Sequence, residues 1–252
     1  MSNIAKFILS FFSFAVSSFI TLYKKLPQEA KKRIMSAIIL GSIFLFIVIK
    51  GQIYYLTAIL VIGILMVQEL ITILISIKTE NINFYETYRK WGIGFIIVTC
   101  VSLILIRDYP QGLKVTIWLF FSIWSLDAAA YFFGKKFGSL KLAPVISPNK
   151  TYEGSFCGTA AGMIVSFILY KLFATGDKNS FGIENFMIIT FINLILAQVG
   201  DLLESWLKRQ CKVKDSGSII PGHGGCLDRF DSIYIPSIFI YIVMFLNNGI
   251  MF

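Results

Sequence analysis

The chain has 252 residues, with 23 Lys and Arg against 14 Asp and Glu for a formal net charge of +9; it is 56% apolar and only 15% charged, with 24 Phe. A soluble domain of this size carries about 25% charged residues, so this deficit, together with a mean hydropathy of +0.76, excludes an ordinary soluble globule and a disordered chain. The long apolar runs also argue against reading the +9 as a nucleic-acid footprint, and leave an all-α, multi-pass integral membrane helical bundle.

A spanning helix needs about 20 mostly apolar residues. Eight apolar segments follow one another, at roughly 7–23, 34–49, 53–77, 91–106, 115–133, 154–174, 183–206 and 233–252. The first begins behind Lys6, has no small-x-small cleavage site after it, and runs into Lys24, Lys25, Lys31, Lys32 and Arg33. It reads as a retained span or an interfacial helix rather than a removed leader. The expectation is about eight spans, within a range of seven to nine.

The connections differ in basic content. The first carries Lys24, Lys25, Lys31, Lys32 and Arg33; the third Lys78, Arg89 and Lys90; the fifth Lys135, Lys136, Lys141 and Lys150; the seventh Lys208, Arg209, Lys212, Lys214 and Arg229. These are seventeen of the 23 basic residues. Lys6, Lys50, Arg107, Lys114, Lys171 and Lys178 fall at the opposite ends. The positive-inside rule then places the odd connections in the cytoplasm and both termini outside. Cys100, Cys157, Cys211 and Cys226 form no C-x-x-C pair, and read as free thiols rather than a zinc site or a disulfide framework.

Four carboxylates fall within or at the edge of the spans: Glu69, Asp127, Asp201 and Glu204. A carboxylate is costly in hydrocarbon, so each faces protein, water or a cation. Asp201, Glu204 and Ser205 share one helix face by their spacing of three and four. That face could bind a hard cation through oxygen, or hydrogen-bond to neighbouring helices. Asp127 precedes Ala128, Ala129 and Ala130, small residues that let another helix approach, and points to a polar cavity between helices. Glu69, beside Gln68, has no partner in view and suits a structural role as well as a functional one.

From Ser205 to Asp231 the chain reads SWLKRQCKVKDSGSIIPGHGGCLDRFD. Asp228 and Asp231 stand three apart before the last span, where acidic groups suit a helix N-terminus. Beside a Gly-rich stretch and several Lys and Arg they also describe a phosphate–metal site. Mg²⁺ typically takes one or two carboxylates plus substrate phosphates. Glycines let backbone N–H groups approach phosphate oxygens, and Lys and Arg neutralise the remainder. Neither G-x-x-x-x-G-K-[ST] nor G-x-G-x-x-G occurs, so no soluble nucleotide-binding fold is indicated.

Ser205-x-x-Lys208-Arg209, Lys214-Asp215-x-Gly217, Pro221-Gly222-His223-Gly224-Gly225 and Asp228-Arg229-x-Asp231 together closely resemble the signature of the phosphatidate cytidylyltransferases (CDP-diacylglycerol synthases). Asp127-x-x-x-Tyr131-x-x-Gly134-Lys135-x-x-Gly138 and Ser147-Pro148-Asn149-Lys150-Thr151-x-Glu153-Gly154 resemble two earlier segments of that family. The resemblance covers roughly 124–236. Cys226 departs from the usual aliphatic residue and is expected to pack as a small hydrophobe.

The resemblance implies transfer of CMP from CTP to phosphatidate, giving CDP-diacylglycerol and pyrophosphate. The apolar segments are expected to form one integral membrane domain over 1–252, with N-terminal spans over 1–114 and catalytic spans and cytoplasmic loops over 115–252. Asp201, Asp228, Asp231, Lys150 and Lys208 would be the catalytic residues. Arg209, Lys214, His223, Gly224, Gly225, Arg229 and Asp127 would bind substrate. Asp201, Asp228, Ser205 and Asp231 would hold Mg²⁺, with room for a monovalent companion such as K⁺. For the basic residues, positive-inside charge is the alternative role. The expected partners are CTP, phosphatidate and the lipid bilayer; a homodimer is admitted through the resemblance alone. The expected location is a bacterial inner membrane with the site facing the cytoplasm. The rivals are other membrane enzymes that use CTP, such as a CDP-archaeol synthase or a polyprenol kinase. A transporter with Glu69, Asp127 and Asp201 as its ion pathway would need no Gly-rich phosphate segment.

Overall fold

Helix dominates because the apolar runs have to satisfy their own backbone hydrogen bonds. The computed structural model describes residues 41–78, 80–174, 181–217, 224–249 and 251–252. The chain divides into two compact units, Met1–Leu45 and Phe46–Phe252, and the second carries the long helices and the hairpin. The expected segment 7–23 and residues 34–40 of the segment 34–49 lie outside the described residues; the rest of that segment falls in a short apolar helix, Gly41–Lys50. Five described helices are long and apolar enough to cross a membrane: α1 (Gln52–Ile75), α2 (Ile82–Asp108), α3 (Gly112–Phe137), α4 (Tyr152–Phe173) and α5 (Ile183–Gln210). A short α6 (Leu227–Phe230) and α7 (Tyr234–Leu246) complete the chain.

Two boundaries differ clearly from expectation, each for a local reason. Helix α2 starts at Ile82 rather than near 91, because the Asn81 side chain accepts from the Phe84 N–H at 2.9 Å. That cap and the Glu86–Arg89 pair at 2.7 Å carry two polar turns ahead of the apolar run. The last apolar segment, expected over 233–252, is helical only to Leu246; its 13 residues fall short of a bilayer span. The chain then folds back, and the Gln111 side chain accepts from the Met251 and Phe252 N–H groups and donates to the Phe252 carbonyl, each at 2.7 Å. The fold is also not wholly helical. Between α3 and α4, β1 (Lys141–Ala143) pairs antiparallel with β2 (Ser147–Thr151), with Lys141 opposite Thr151 and Ala143 opposite Ser147.

The helices are apolar all round, so burial rather than sequence defines their inner faces. On α1, Tyr55, Ile59, Met66, Leu70 and Leu74 are buried while Ile53, Leu60, Ile64 and Ile75 are exposed, as in a helix with one face on its neighbours and one on lipid. Helices α3 and α4 approach most closely. Gly158 faces the Leu126 carbonyl, where an added Cβ would stand 2.7 Å from its oxygen. The buried Trp118 Nε1 donates to Ser166 Oγ at 3.0 Å across the same pair.

Contacts between connections define two ends. At one, Ser76 Oγ after α1 donates to the Cys211 carbonyl after α5 at 3.0 Å. Lys212 meets Glu80 at 2.6 Å, and Arg209 Nε donates to the Ile146 carbonyl in the hairpin turn at 3.1 Å. At the other, Lys114 Nζ donates to the Phe173 carbonyl at 2.9 Å, and Arg107 Nε to the Val48 carbonyl at 3.0 Å.

Candidate active site

The hairpin is fixed by the first turn of α4. Thr151 caps that helix, accepting from the Gly154 N–H at 3.1 Å. Glu153 reaches back to accept from the N–H groups of Ser139 and Leu140 at 3.0 and 3.1 Å, and from the Ser139 hydroxyl. Lys150, the residue before the cap, is thereby held where its Nζ lies 2.5 Å from Asp201 Oδ2 on α5. Asp201 Oδ1 also accepts from Ser205 Oγ, one turn on, at 3.4 Å.

After α5 the chain returns through Ser216 to α6. Asp228 receives Lys208 Nζ on Oδ1 at 2.6 Å, and the N–H groups of Ser216 and Gly225 on Oδ2 at 3.0 and 2.9 Å. Burial pushes the Asp228 carboxyl up, but these bonds outweigh it and hold the group below the ordinary carboxylate range. Lys208 also meets Glu204 at 3.1 Å. Asp231 Oδ1 accepts from the N–H and hydroxyl of Ser232, at 2.7 and 3.1 Å, and the Ser232 hydroxyl also lies 3.4 Å from Asp127 Oδ2. Burial first, then the Asp201 carboxylate, push the Asp231 carboxyl up to about 6.

These groups surround a cavity of about 310 Å³ between α3, the hairpin, α4, α5 and α6. Asp127, Lys150, Asp201, Asp228, Arg229 and Asp231 line it, together with Asn149, Ser155, Gln198 and Ser232. Six of the residues expected from the sequence therefore share one cavity. Ser205 reaches it through Asp201, and Lys208 through Asp228. Arg209 does not line it; its guanidinium holds the Ile146 and Val213 carbonyls. Lys214 is exposed and also outside the lining. Gly224 and Gly225 lead into α6, and His223 lies outside the described residues.

The described parts of the Gly-rich segment turn several backbone donors toward carboxylates. The N–H groups of Ser216, Gly225, Cys226 and Leu227 all donate to carboxylates, the first two to Asp228 and the last two to Glu69. Glu69 was the carboxylate without a visible partner in the sequence, and it is buried here. Sequence reasoning also passed over Asn149, Ser155 and Ser232 as lining residues; their one signal was adjacency to Lys150, Gly154 and Asp231. All four cysteines are free thiols. Burial first, and then the charge of Glu69, push the Cys226 thiol up to about 12, consistent with inert packing.

Among the described residues, no three His, Cys, Asp or Glu side chains converge on a point that could hold a metal ion. The donor chemistry nevertheless suits an ion that arrives with phosphates. Four carboxylates and two cationic side chains line the cavity, so a cation that entered with a polyphosphate would find oxygen ligands there. Mg²⁺ asks for only one or two carboxylates in such a case. An ionised carboxylate offers about four lone-pair sites; Asp228 accepts three hydrogen bonds and retains one.

The family model described as the cytidylyltransferase family matches residues 84–247. The phosphatidate cytidylyltransferase of Bacillus subtilis (strain 168) is 31% identical over 267 residues, covering 86% of this chain and 98% of that protein. That of Rickettsia typhi (strain ATCC VR-144 / Wilmington) is 36% identical over 216 residues, covering 83% and 90%. That of Brucella suis biovar 1 (strain 1330) is 38% identical over 162 residues, or 63% of this chain; the match spans 58% of the Brucella protein's length.

Proposed function

This chain belongs to the cytidylyltransferase family, and on that premise we propose that it transfers CMP from CTP to phosphatidate, giving CDP-diacylglycerol and pyrophosphate. A phosphate oxygen of the lipid attacks the α-phosphorus of CTP. The new P–O bond forms as the bond from that phosphorus to the oxygen bridging the β-phosphate breaks, and the electron pair leaves with pyrophosphate. The nucleophile is already an anion, so no strong base is needed. The obstacles are repulsion between anions and their alignment, which positioning and fixed charge address.

The observation that carries this reading is the Lys150–Asp201 pair, at 2.5 Å, in a cavity shared with Asp127, Asp228, Arg229 and Asp231. Lys150 exchanges Asp201 for a phosphate oxygen when substrate enters, and Arg229 adds a second positive charge to the lining. One or two carboxylates among Asp201, Asp228 and Asp231, with Ser205 beside Asp201, would hold Mg²⁺, which when bound supplies the charge that neutralises the triphosphate. The cavity end faces the cytoplasm of a bacterial cell, where CTP is dissolved, and phosphatidate enters sideways from the inner membrane. The apolar segments at 7–23 and 34–49 add spans to the five described.

The purified protein, given labelled CTP, phosphatidate and Mg²⁺, is expected to release CDP-diacylglycerol and pyrophosphate. CDP together with a newly phosphorylated lipid would instead identify a CTP-dependent lipid kinase. Asp201→Asn is expected to reduce CDP-lipid formation by about 100-fold, in line with loss of one electrostatic group, and to leave membrane insertion intact. Full activity of that variant removes Asp201 from the site.

A further inference from the structure

Glu69 lies on α1, ahead of the residues 84–247 that the family model matches, and its side chain is buried at 4% exposure. It nevertheless reaches the stretch of chain that carries Asp228. Its Oε2 accepts from Ser216 Oγ at 3.0 Å and from the Leu227 N–H at 2.8 Å, and its Oε1 accepts from the Cys226 N–H at 2.9 Å. One carboxylate thus fastens Ser216, from the stretch leaving α5, to Cys226 and Leu227 at the start of α6. Asp228 ties the same two stretches together through the Ser216 and Gly225 N–H groups.

The glycines here make room for that carboxylate. A Cβ on Gly217 would stand 2.9 Å from Glu69 Oε1, and one on Gly225 would collide with Glu69 Oε2 and Ser216 Oγ. A buried carboxylate needs its oxygens satisfied, and the donors of this segment satisfy it.

We propose that Glu69 is a positioning residue for cytidylyl transfer: from α1 it holds Ser216 and the start of α6 so that Asp228 and Arg229 line the cavity. This rests on the functional reading above, and Glu69 touches no reacting atom. Glu69→Gln keeps the size of the side chain but places an NH₂ group against donors. It is expected to lower kcat by about tenfold or more, the range seen when a supporting hydrogen-bond partner is lost. Backbone hydrogen–deuterium exchange over Gly224–Leu227 should quicken by about tenfold while exchange in α4 stays unchanged, since local openings report local contacts. Ser216→Ala, which removes one of the three donors, should move both readouts the same way by less. A kcat within about twofold of wild type, or a fall in kcat without faster exchange at Gly224–Leu227, overturns the proposal. Should Glu69→Gln quicken exchange throughout the bundle, Ser216→Ala decides by the same criteria. A wild-type protein that makes no CDP-lipid defeats the functional reading, and the exchange measurement then still tests the contact on its own.

Discussion

Lys150 and Lys208 look alike in the sequence, as basic residues at the same end of neighbouring spans, and burial separates them. The Lys150 side chain is 26% exposed in the cavity, whereas that of Lys208 is 9% exposed between Glu204 and Asp228. Lys208 is therefore a clamp on Asp228, and Lys150 is the lysine that a substrate can meet. Removing one partner of a buried ion cluster leaves uncompensated charge and costs about 3–5 kcal/mol. Lys208→Met is accordingly expected to lower the thermal midpoint in detergent sharply and to abolish turnover, while Lys150→Met should lose turnover with a much smaller thermal shift. Equal midpoints for the two variants would contradict the distinction. The sequence grouped Lys150, Lys208, Arg209, Lys214 and Arg229 because type and side of the membrane are legible in it. It could not rank them, since the ranking depends on partners such as Ile146 for Arg209 and Asp228 for Lys208 that only folding brings near.

At the scale of elements, hydropathy marked the central spans well and their ends poorly. The polar turns of α2 are helical because of a cap and an ion pair, neither of which registers as hydrophobic. The hairpin was invisible because its strands have three and five residues, one carrying Pro148, and its order comes from Glu153 and Thr151 on the next helix. The inner faces were also hidden, since in lipid both faces of a helix are apolar. Small residues were the better guide: of the three alanines after Asp127, Ala130 stands at the close approach to Gly154 and Gly158. That contact is testable. Gly158→Ala drives a Cβ toward the Leu126 carbonyl and is expected to destabilise the protein by about 1–3 kcal/mol. Gly94→Ala on α2, where an added Cβ meets nothing within 4 Å, should be neutral or stabilising by up to about 1 kcal/mol. Thermal unfolding of both variants in one detergent compares them directly; matching losses would show that the α3–α4 approach is not tight.

For the molecule as a whole, the charge asymmetry and the contact pattern agree on two distinct ends. Lys141, in the hairpin, belongs to the end with the cavity, and Lys114, bonded to the Phe173 carbonyl, to the other. In a background lacking the four native cysteines, Lys114→Cys is expected to react with an impermeant thiol reagent added to intact cells, and Lys141→Cys only after permeabilisation. The reverse pattern would invert the orientation. The position of Asp127 has a consequence of another kind. It lies ten residues inside the basic end of α3, about 15 Å along a helix, against a hydrocarbon core about 30 Å thick. Moving one charge across the whole membrane involves about 2.3 kcal/mol per 100 mV, and a charge carried from the basic end to the cavity floor crosses a share of that field. Under the proposed function, filling and emptying this site with polyanions would thereby be an electrical event as well as a chemical one.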